Sequence, residues 1–425
     1  MKTVALIGAG QRGTIYANYV AENKDTTLCA LVEPDAQRRA TAQALYHLDD
    51  TKVFACVEDF FACGKIANAV IIASMDTDHY TQCIAALKLG YDVLLEKPVS
   101  PNPKETIEIE MLARKLNRKV VVCHVLRYTP FFGAIKNILN NGKLGRIVTI
   151  QHNENIGNFH MAHSFVRGNW RSSTESSPII MQKSCHDMDI LYWLVDSECE
   201  KISSFGALTY FTEKNAPQGS TAYCCNCTVR DTCRFDAEKM YLPVAGGWPA
   251  SVVSHEQSEQ SIKTALQTSP FGRCVYRCDN DVCDHQTSII EFKNGVTATF
   301  NLSGFTNKMC RTLKIMCENG ELRCDDGRNK IEITYFSSSP LDQNISEIVT
   351  PEITNGAHGG GDFGLMKEFL QQLTQDNGQE SVRSSITHSV ESHIMAYCAE
   401  QSRLENTVIY VEKFRQEISK QIVVE

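Results

Sequence analysis

The sequence has no apolar run long enough to span a membrane, and no cluster of basic residues. Its 425 residues carry a net charge of −8, with charged side chains spread evenly along the chain. Nucleic acids and anionic membrane surfaces attract a positive face, so neither is expected as a main partner. The chain opens on an apolar strand rather than on a signal peptide, and we expect a cytoplasmic protein.

Internal repeats and low-complexity tracts are also absent, so the length is compatible with two or three domains, each with its own core. Cysteine is abundant, at 18 residues. Outside 224–283 the cysteines lie in apolar runs, as at Cys29, Cys83 and Cys123, which predicts buried thiols. Disulfides are not expected in a reducing compartment.

A glycine turn follows the first apolar run, residues 4–7. Gly8 permits a tight turn, Gly10 allows close approach of a pyrophosphate, and Gly13 lets the next helix pack near the strand. A second strand, 27–32, ends at Glu33, whose carboxylate can accept both hydroxyls of an adenosine ribose. This order predicts a dinucleotide site and favours NAD over NADP, although the nearby Arg38 and Arg39 keep NADP open; the alternative is a glycine loop in another kind of α/β protein.

Residues 1–123 alternate short apolar runs with helical patterns, which predicts an NAD-binding Rossmann domain with a doubly wound parallel sheet. From 124 to 425 several strands follow one another without helices between them and with Asn-Gly turns. We expect a substrate-binding α+β domain there, built on a large, mostly antiparallel open sheet. It would contain a polar, cysteine-containing insertion at about 213–285 and C-terminal helices at about 362–374 and 384–405.

Two side chains, those of Lys97 and His186, are candidates for the catalytic groups. Lys97 follows a strand at its carboxyl end, where open α/β sheets bind ligands, and could donate to a substrate hydroxyl; an isolated lysine there can also be a surface residue. His186 lies at a helix start, where the helix dipole lowers its pKa and favours a neutral base. Asp189 lies on the same helical face and could orient the imidazole, and Asp187 could serve as a helix N-terminal charge. A structural histidine is the alternative.

Seven segments occur in a familiar order, and through them the chain resembles the Gfo/Idh/MocA oxidoreductases, which include glucose–fructose oxidoreductase and inositol dehydrogenase. The segments cover nearly the whole chain apart from 213–285; they are VALIGAGQRG, VIIASMDTDHY, LLEKP, HVLRYTP, GNWR, CHDMDILYWL and ENGELR.

The resemblance implies Lys97 and His186 as the catalytic pair, and a C-terminal sheet used for substrate binding and for homo-oligomer contacts in a dimer or tetramer. It also implies a cofactor site, with the last three residues near the nicotinamide: Gly8, Gly10, Gln11, Arg12, Gly13, Glu33, Ser74, Asp76, His79, Glu96, Lys97, Arg127, Trp170 and Arg171.

One position departs from the family pattern. Many members carry Asp four residues before the catalytic histidine, where this chain has Gln182, and an amide cannot polarise an imidazole as a carboxylate does. Either Asp189 takes that part or the proton chemistry differs. Lys183 is a candidate contact to substrate, with a solvated helix-start lysine as the alternative.

Further substrate candidates are His160 and His163 within the polar and aromatic stretch 159–171, and His358 before a helix. The segment at His358 could equally be a linker with an Asp cap.

The insertion holds Cys224, Cys227, Cys233 and Cys278 as candidate ligands of a structural zinc, with Cys274 as an alternative fourth ligand. Thiolates at such spacings can also hold an iron–sulfur cluster, or they can remain free thiols.

The expected activity is NAD-dependent hydride transfer at a hydroxyl-bearing carbon of a sugar, cyclitol or sugar derivative. Two alternatives stay open: an NAD-dependent glycosidase that oxidises C3 transiently before elimination, and a non-catalytic NAD-binding sensor.

Overall fold

The computed structural model describes residues 1–353, 357–374 and 382–422. Six strands form a parallel sheet near the N-terminus: β1 (Lys2–Ile7), β2 (Thr26–Val32), β3 (Val53–Phe54), β4 (Ala69–Ile72), β5 (Asp92–Leu95) and β6 (Val120–Val122). Their order is β3-β2-β1-β4-β5-β6. The chain order reverses between β1 and β4, and ligands of doubly wound sheets bind at the carboxyl ends of the strands there. The expected Rossmann sheet is confirmed.

Helices cover both faces of this sheet, which is why its strands are continuous apolar runs rather than alternating ones. All four residues of β4 are buried. The covering helices are α1 (Gln11–Glu22), α2 (Ala36–Tyr46), α3 (Val57–Ala62), α4 (His79–Lys88) and α5 (Pro103–Lys115).

The second sheet has nine strands: β7 (Ile147–Asn155), β8 (Cys199–Ala207), β9 (His285–Phe292), β10 (Thr297–Ser303), β11 (Cys310–Cys317), β12 (Gly320–Asp325), β13 (Lys330–Tyr335), β14 (Ile345–Val349) and β15 (Ile409–Tyr410). Their order is β14-β13-β12-β11-β7-β10-β9-β8-β15. Only β7 and β10 pair in parallel among these described strands. Burial alternates along β11, as a sheet with one covered face requires. The expected mostly antiparallel sheet is confirmed.

The rest of the described chain adds the helices α6 (Pro130–Asn140), α7 (Asn158–His160), α8 (Ile179–Gln182), α9 (Cys185–Val195), α10 (Ala237–Tyr241), α11 (Ala250–Val253), α12 (Glu259–Thr268), α13 (Gly361–Thr374), α14 (Ile386–Glu405) and α15 (Val411–Ser419). A π-helical segment, Met161–Arg167, directly follows α7. No helix in the described ranges is long and apolar enough to cross a membrane.

The C-terminal helices return to the first sheet. Leu365 and Phe369 of α13 share a core cluster with Val4 and Leu6 of β1. Beside β6, the backbone N–H of Val122 donates to the carbonyl of Ser384 at 2.8 Å. The core of the first sheet is therefore completed by the far end of the chain.

The polar insertion lies between β8 and β9 and carries α10 to α12. Its own apolar cluster is small: Cys224, Ala237, Tyr241, Ala250, Val253, Ile262 and Leu266.

Candidate active site

The glycine turn joins β1 to α1 and leaves an open cradle. Gly8 has φ +90°, and a Cβ there would lie 2.6 Å from the carbonyl oxygen of Ala73. A Cβ on Gly13 would lie 1.9 Å from the carbonyl oxygen of Gly8, so strand and helix touch through glycine. A Cβ on Gly10, in contrast, would meet no atom within 4 Å. Space is thus left at the start of α1, beside Gln11, where a pyrophosphate of a dinucleotide fits.

Glu33 braces this turn from the end of β2. It is 3% exposed, and its Oε2 accepts a hydrogen bond from the N–H of Ala9 at 2.7 Å. Arg38 approaches the other oxygen at 3.4 Å, whereas Arg39 donates to the carbonyls of Glu33 and Pro34. Glu33 thus lies at the end of the second strand, the position where dinucleotide-binding domains carry the acid that binds the ribose. Arg38 lies beside it.

Arg12 links three parts of the chain. Its Nε donates to Glu96 at 2.8 Å, its Nη2 pairs with Asp362, and its Nη1 lies 3.4 Å from Nδ1 of His358. Burial raises the pKa of Glu96, but the charges of Arg12 and Lys97 outweigh it and hold that pKa below its usual value. The residue after β5 is therefore an ionised carboxylate next to Lys97.

Lys97 reaches from the carboxyl end of β5 to the helices of the second region. Its Nζ donates to the backbone carbonyl of Gln182 at 2.6 Å, at the end of α8. His186 comes four residues later, at the start of α9, and is 6% exposed. Burial lowers the pKa of His186 well below 6.5, and the nearby charge of Lys97 lowers it further. The imidazole is thus neutral at neutral pH and adjacent to an ammonium group.

Three predicted substrate residues join this pair. The ring of His358 lies 6.4 Å from that of His186, centroid to centroid. Burial lowers the pKa of His160, and partial burial lowers that of His358, whose side chain is 42% exposed. The charge of Lys183 contributes to both shifts, and its Nζ lies 3.3 Å from Glu154. The fold therefore gathers five predicted residues, called the site cluster below: Lys97, His160, Lys183, His186 and His358.

Buried polar atoms without a hydrogen-bond partner concentrate here within the described part of the chain. They include Nδ1 of His186, Oε1 of Gln182, Oγ of Ser184 and Nδ1 of His160. Buried polar groups are normally paired, so such a group of open donors and acceptors fits a polar ligand.

A buried network of charged side chains around Asp187 was not predicted from the sequence. Asp187 accepts from His152 Nε2 and Arg311 Nε, each at 2.7 Å, and Arg311 also lies 2.6 Å from Glu154. Burial opposes ionisation of Asp187, but Arg311 holds its pKa below the usual value. Asp187 is therefore more than a helix N-terminal charge. Its partners come from β7 and β11, and no local spacing signals such a contact.

Asp189 does not orient His186. Its carboxylate is paired bidentately with Arg127, with both N–O distances at 2.7 Å, because α9 turns this side chain toward the core. Arg127 also donates to the carbonyl of Arg383. The pairing corrects the role expected of Asp189 and ties Arg127 into the interior.

Three further predicted residues make their described contacts with residues outside the site cluster, although His163 and His160 both pack against the ring of Trp248. Arg171 pairs with Asp279 at 2.9 Å, and Trp170 is 40% exposed. His163 faces the insertion, where its Nδ1 lies 3.0 Å from the hydroxyl of Tyr241. Arg171 and His163 have partners in the insertion, which sequence spacing could not reveal, whereas Trp170 lies near Phe165.

The predicted cofactor residues after β4 are held by local contacts. Asp76 accepts from the hydroxyls of Ser176 and Ser177 at 2.8 and 2.9 Å. Ser74 donates to Gln82 at 2.7 Å, and Nδ1 of His79 donates to the carbonyl of Pro98 at 2.7 Å. These contacts fix the carboxyl edge of the sheet next to Lys97.

Comparison with known families agrees with this architecture. Residues 2–124 match the model of the oxidoreductase family NAD-binding Rossmann fold, and residues 136–408 match that of the oxidoreductase family C-terminal alpha/beta domain. The chain belongs to the Gfo/Idh/MocA oxidoreductase family. Its first domain is the NAD-binding Rossmann domain of that family.

Relatives are distant. YteT of Bacillus subtilis (strain 168), named as an oxidoreductase, is 24% identical over 312 residues, 71% of each chain. An inositol 2-dehydrogenase of Corynebacterium glutamicum (strain ATCC 13032) is 25% identical over 199 residues, 46% of this chain and 54% of that protein.

Solved structures share the fold over nearly the whole chain. A levoglucosan dehydrogenase in complex with NADH and L-sorbose has a TM-score of 0.71 at 15% identity, covering 96% of this chain and 98% of that one. An oxidoreductase from Agrobacterium radiobacter in complex with NAD+, L-tartaric acid and magnesium has a TM-score of 0.69 at 12% identity, covering 97% and 99%.

Proposed function

We propose that this oxidoreductase transfers hydride between NAD and a hydroxyl-bearing carbon of a sugar, cyclitol or sugar derivative. The observation that carries the proposal is the placement of Lys97 beside His186. An ammonium group from the end of β5 and a neutral imidazole from the start of α9 lie in one buried cluster. The cluster is connected through His358 and Arg12 to the glycine turn.

Each residue of the pair has a defined part. His186, neutral and buried, accepts the proton of the substrate hydroxyl. Lys97 donates a hydrogen bond to the same oxygen and stabilises negative charge on it as the carbonyl forms. The bound nicotinamide supplies or accepts the hydride, and this chain's residues position it.

The polar lining supports a hydroxyl-rich substrate. Lys183, His160 and His358 add donors around the pair, and several buried polar atoms there have no partner in the described residues. Two relatives carry names that fit this chemistry, an inositol 2-dehydrogenase and a levoglucosan dehydrogenase crystallised with L-sorbose.

NAD is favoured over NADP because a carboxylate stands at the ribose position. Glu33 is buried, and a 2′-phosphate beside it would meet a negative charge. Arg38 approaches the same carboxylate but is half-exposed, so it offsets that charge only in part.

The proposal includes self-association in a reducing cytoplasm. Large apolar side chains project from the uncovered face of the second sheet, including Val148, Phe205 and Ile289, which are 53–62% exposed. A second copy of the sheet would bury them.

A substrate screen tests the function. Purified protein is incubated with NAD and a panel of sugars, cyclitols and aryl glycosides, recording NADH absorbance and aglycone release together. We expect NADH to accumulate with a polyol or sugar. Aglycone release without net NADH would instead establish the glycosidase reaction, and no turnover with any compound, despite bound NAD, would favour a sensor.

A further inference from the structure

The insertion between β8 and β9 contains a small cavity with four cysteines on its wall. Cys224, Cys227, Cys233 and Cys274 all line it, together with Arg167 and Arg230, and its volume is about 10 Å³. The reaction proposed above uses none of these residues.

We propose that Cys224, Cys227, Cys233 and Cys274 bind one structural Zn²⁺ as a tetrathiolate site. Zinc prefers four tetrahedral thiolates in structural sites, often with two of them from a C-x-x-C turn. Here Cys224 and Cys227 supply that turn, which is a short 3-10 helix at 224–226.

The backbone brings the distant fourth ligand to the first. Tyr223 and Arg273 form an antiparallel bridge, and the N–H of Cys274 donates to the carbonyl of Ala222 at 2.9 Å. Cys274 therefore lies close to Cys224 although the two are fifty positions apart in sequence. The sulfur of Cys278 instead donates to the carbonyl of Cys274 at 3.3 Å, and Cys278 does not line the cavity among the described residues. Of the two candidate fourth ligands expected from the sequence, we therefore propose Cys274 rather than Cys278.

The surrounding charges fit four thiolates on one divalent cation. Such a centre carries a net charge of about −2, since four thiolates exceed the charge of one zinc ion. Arg167 is fully buried, and its Nη2 lies 3.4 Å from the sulfur of Cys224. Arg230 and Asp236 also line the cavity, and Arg230 is paired with Asp236 and Glu238, so Arg167 is the cation that faces the thiolates.

The four cysteine side chains must move closer together to bind one ion. In the described residues, no three of these sulfur atoms lie within 4.8 Å of one another. Tetrahedral Zn–S bonds of about 2.3 Å require sulfurs at roughly 3.8 Å, which needs side-chain rotation about the cavity. A single zinc ion needs only the four thiolates, and the spacing of Cys224 and Cys227 is that of a structural zinc turn.

A structural metal would stabilise the insertion. Its outer part has a separate apolar cluster of seven buried residues, whereas Phe235, Val275 and Tyr276 belong to the main core. It also packs against the substrate side, because Trp248 contacts the rings of His160 and His163 at 5.1 and 5.4 Å. Zinc would therefore hold one wall of the site cluster in place.

Elemental analysis of full-length protein purified without chelator tests the proposal. We expect about one zinc per chain in the wild type and in the controls Cys225→Ser and Cys278→Ser. Cys227→Ser and Cys233→Ser should each lose the metal and melt at a lower temperature. Retention of zinc by both of these variants, or its loss in Cys278→Ser alone, would overturn the ligand assignment.

Cobalt exchange of the wild-type protein keeps the test decisive if those variants do not fold. Four thiolates on Co²⁺ give intense sulfur-to-cobalt charge-transfer bands, which we expect on adding Co²⁺ to metal-depleted protein. Wild type that contains no zinc and binds neither ion, or that contains iron with sulfide, would contradict the proposal. Because these readouts do not involve turnover, they are independent of the proposed dehydrogenase activity.

Discussion

At the residue scale, environment separates the groups that can do chemistry from those that hold the fold. His186 and Asp189 are three positions apart in one helix and both are buried. His186 lies beside Lys97 with an unpaired Nδ1, whereas both oxygens of Asp189 are taken by Arg127. An unpaired imidazole is available to a substrate, and a carboxylate in a bidentate ion pair is not.

The protonation state of His186 predicts a pH profile. Burial, with Lys97 nearby, lowers its pKa well below 6.5, so the active neutral form persists into mildly acidic solution. We expect kcat/KM at saturating NAD to fall on the acid side with a midpoint below pH 6.5. The exposed His47→Asn variant should give the same curve. A midpoint at or above the ordinary histidine pKa would count against a buried neutral base.

Glu33 predicts cofactor preference. In Glu33→Ala we expect the Kd for NAD to rise roughly 10- to 100-fold, the range for a lost charge-assisted hydrogen bond, with a smaller rise for NADP. For NAD, the variant loses the acceptor of the ribose hydroxyls. For NADP, it also loses the negative charge that repels the 2′-phosphate, so the net loss of affinity is smaller. Calorimetric titration with both dinucleotides measures this, and exposed Glu22→Ala is the control. Equal losses for both would refute the assignment.

At the scale of single elements, the start of α1 offers a position where a substitution should weaken NAD binding without affecting folding. A Cβ on Gly10 meets no protein atom, so Gly10→Ala should fold with an unchanged melting temperature but bind NAD at least about tenfold more weakly, because the methyl group fills the pyrophosphate cradle. Equilibrium titration and thermal melting check this together.

Gly133→Ala provides the matched control. Gly133 is also open but lies inside α6, where alanine should add about 0.5–1 kcal/mol of stability without affecting NAD. Unchanged NAD affinity in Gly10→Ala would show that the dinucleotide lies elsewhere.

Helix α9 illustrates how one element serves three purposes. Its first turns direct His186 to the site cluster, Asp187 to Arg311 and His152, and Asp189 to Arg127. The polar residues of this otherwise apolar helix are thus divided between a candidate site and two buried ion-pair networks.

At the scale of the whole molecule, the sequence predicted those features that are determined by residues close together in the chain. The glycine turn, the acid after β2 and the apolar strands revealed the parallel sheet, because each follows from neighbouring residues. The two-sheet architecture followed from strands without intervening helices. Lys97 and His186 became candidates because each stands at the end of a recognisable strand or helix, and the family resemblance implied them as a pair, which stays a prediction.

Long-range contacts escaped sequence reasoning for a physical reason. Arg311 reaches Asp187 from another strand, and α13 packs into the core of the first sheet from the far end of the chain. The partner of Asp189 and the position of Cys274 at the cavity wall likewise depend on tertiary packing, which carries no fixed spacing.

The most direct measurement of the central claim compares NADH formation by wild type and Lys97→Ala with an active polyol, with NAD binding measured in parallel. Losing a positioned proton donor should reduce kcat by roughly 10²- to 10⁴-fold while NAD still binds, and the exposed-lysine control Lys88→Ala should remain fully active. Undiminished turnover in Lys97→Ala would contradict the account.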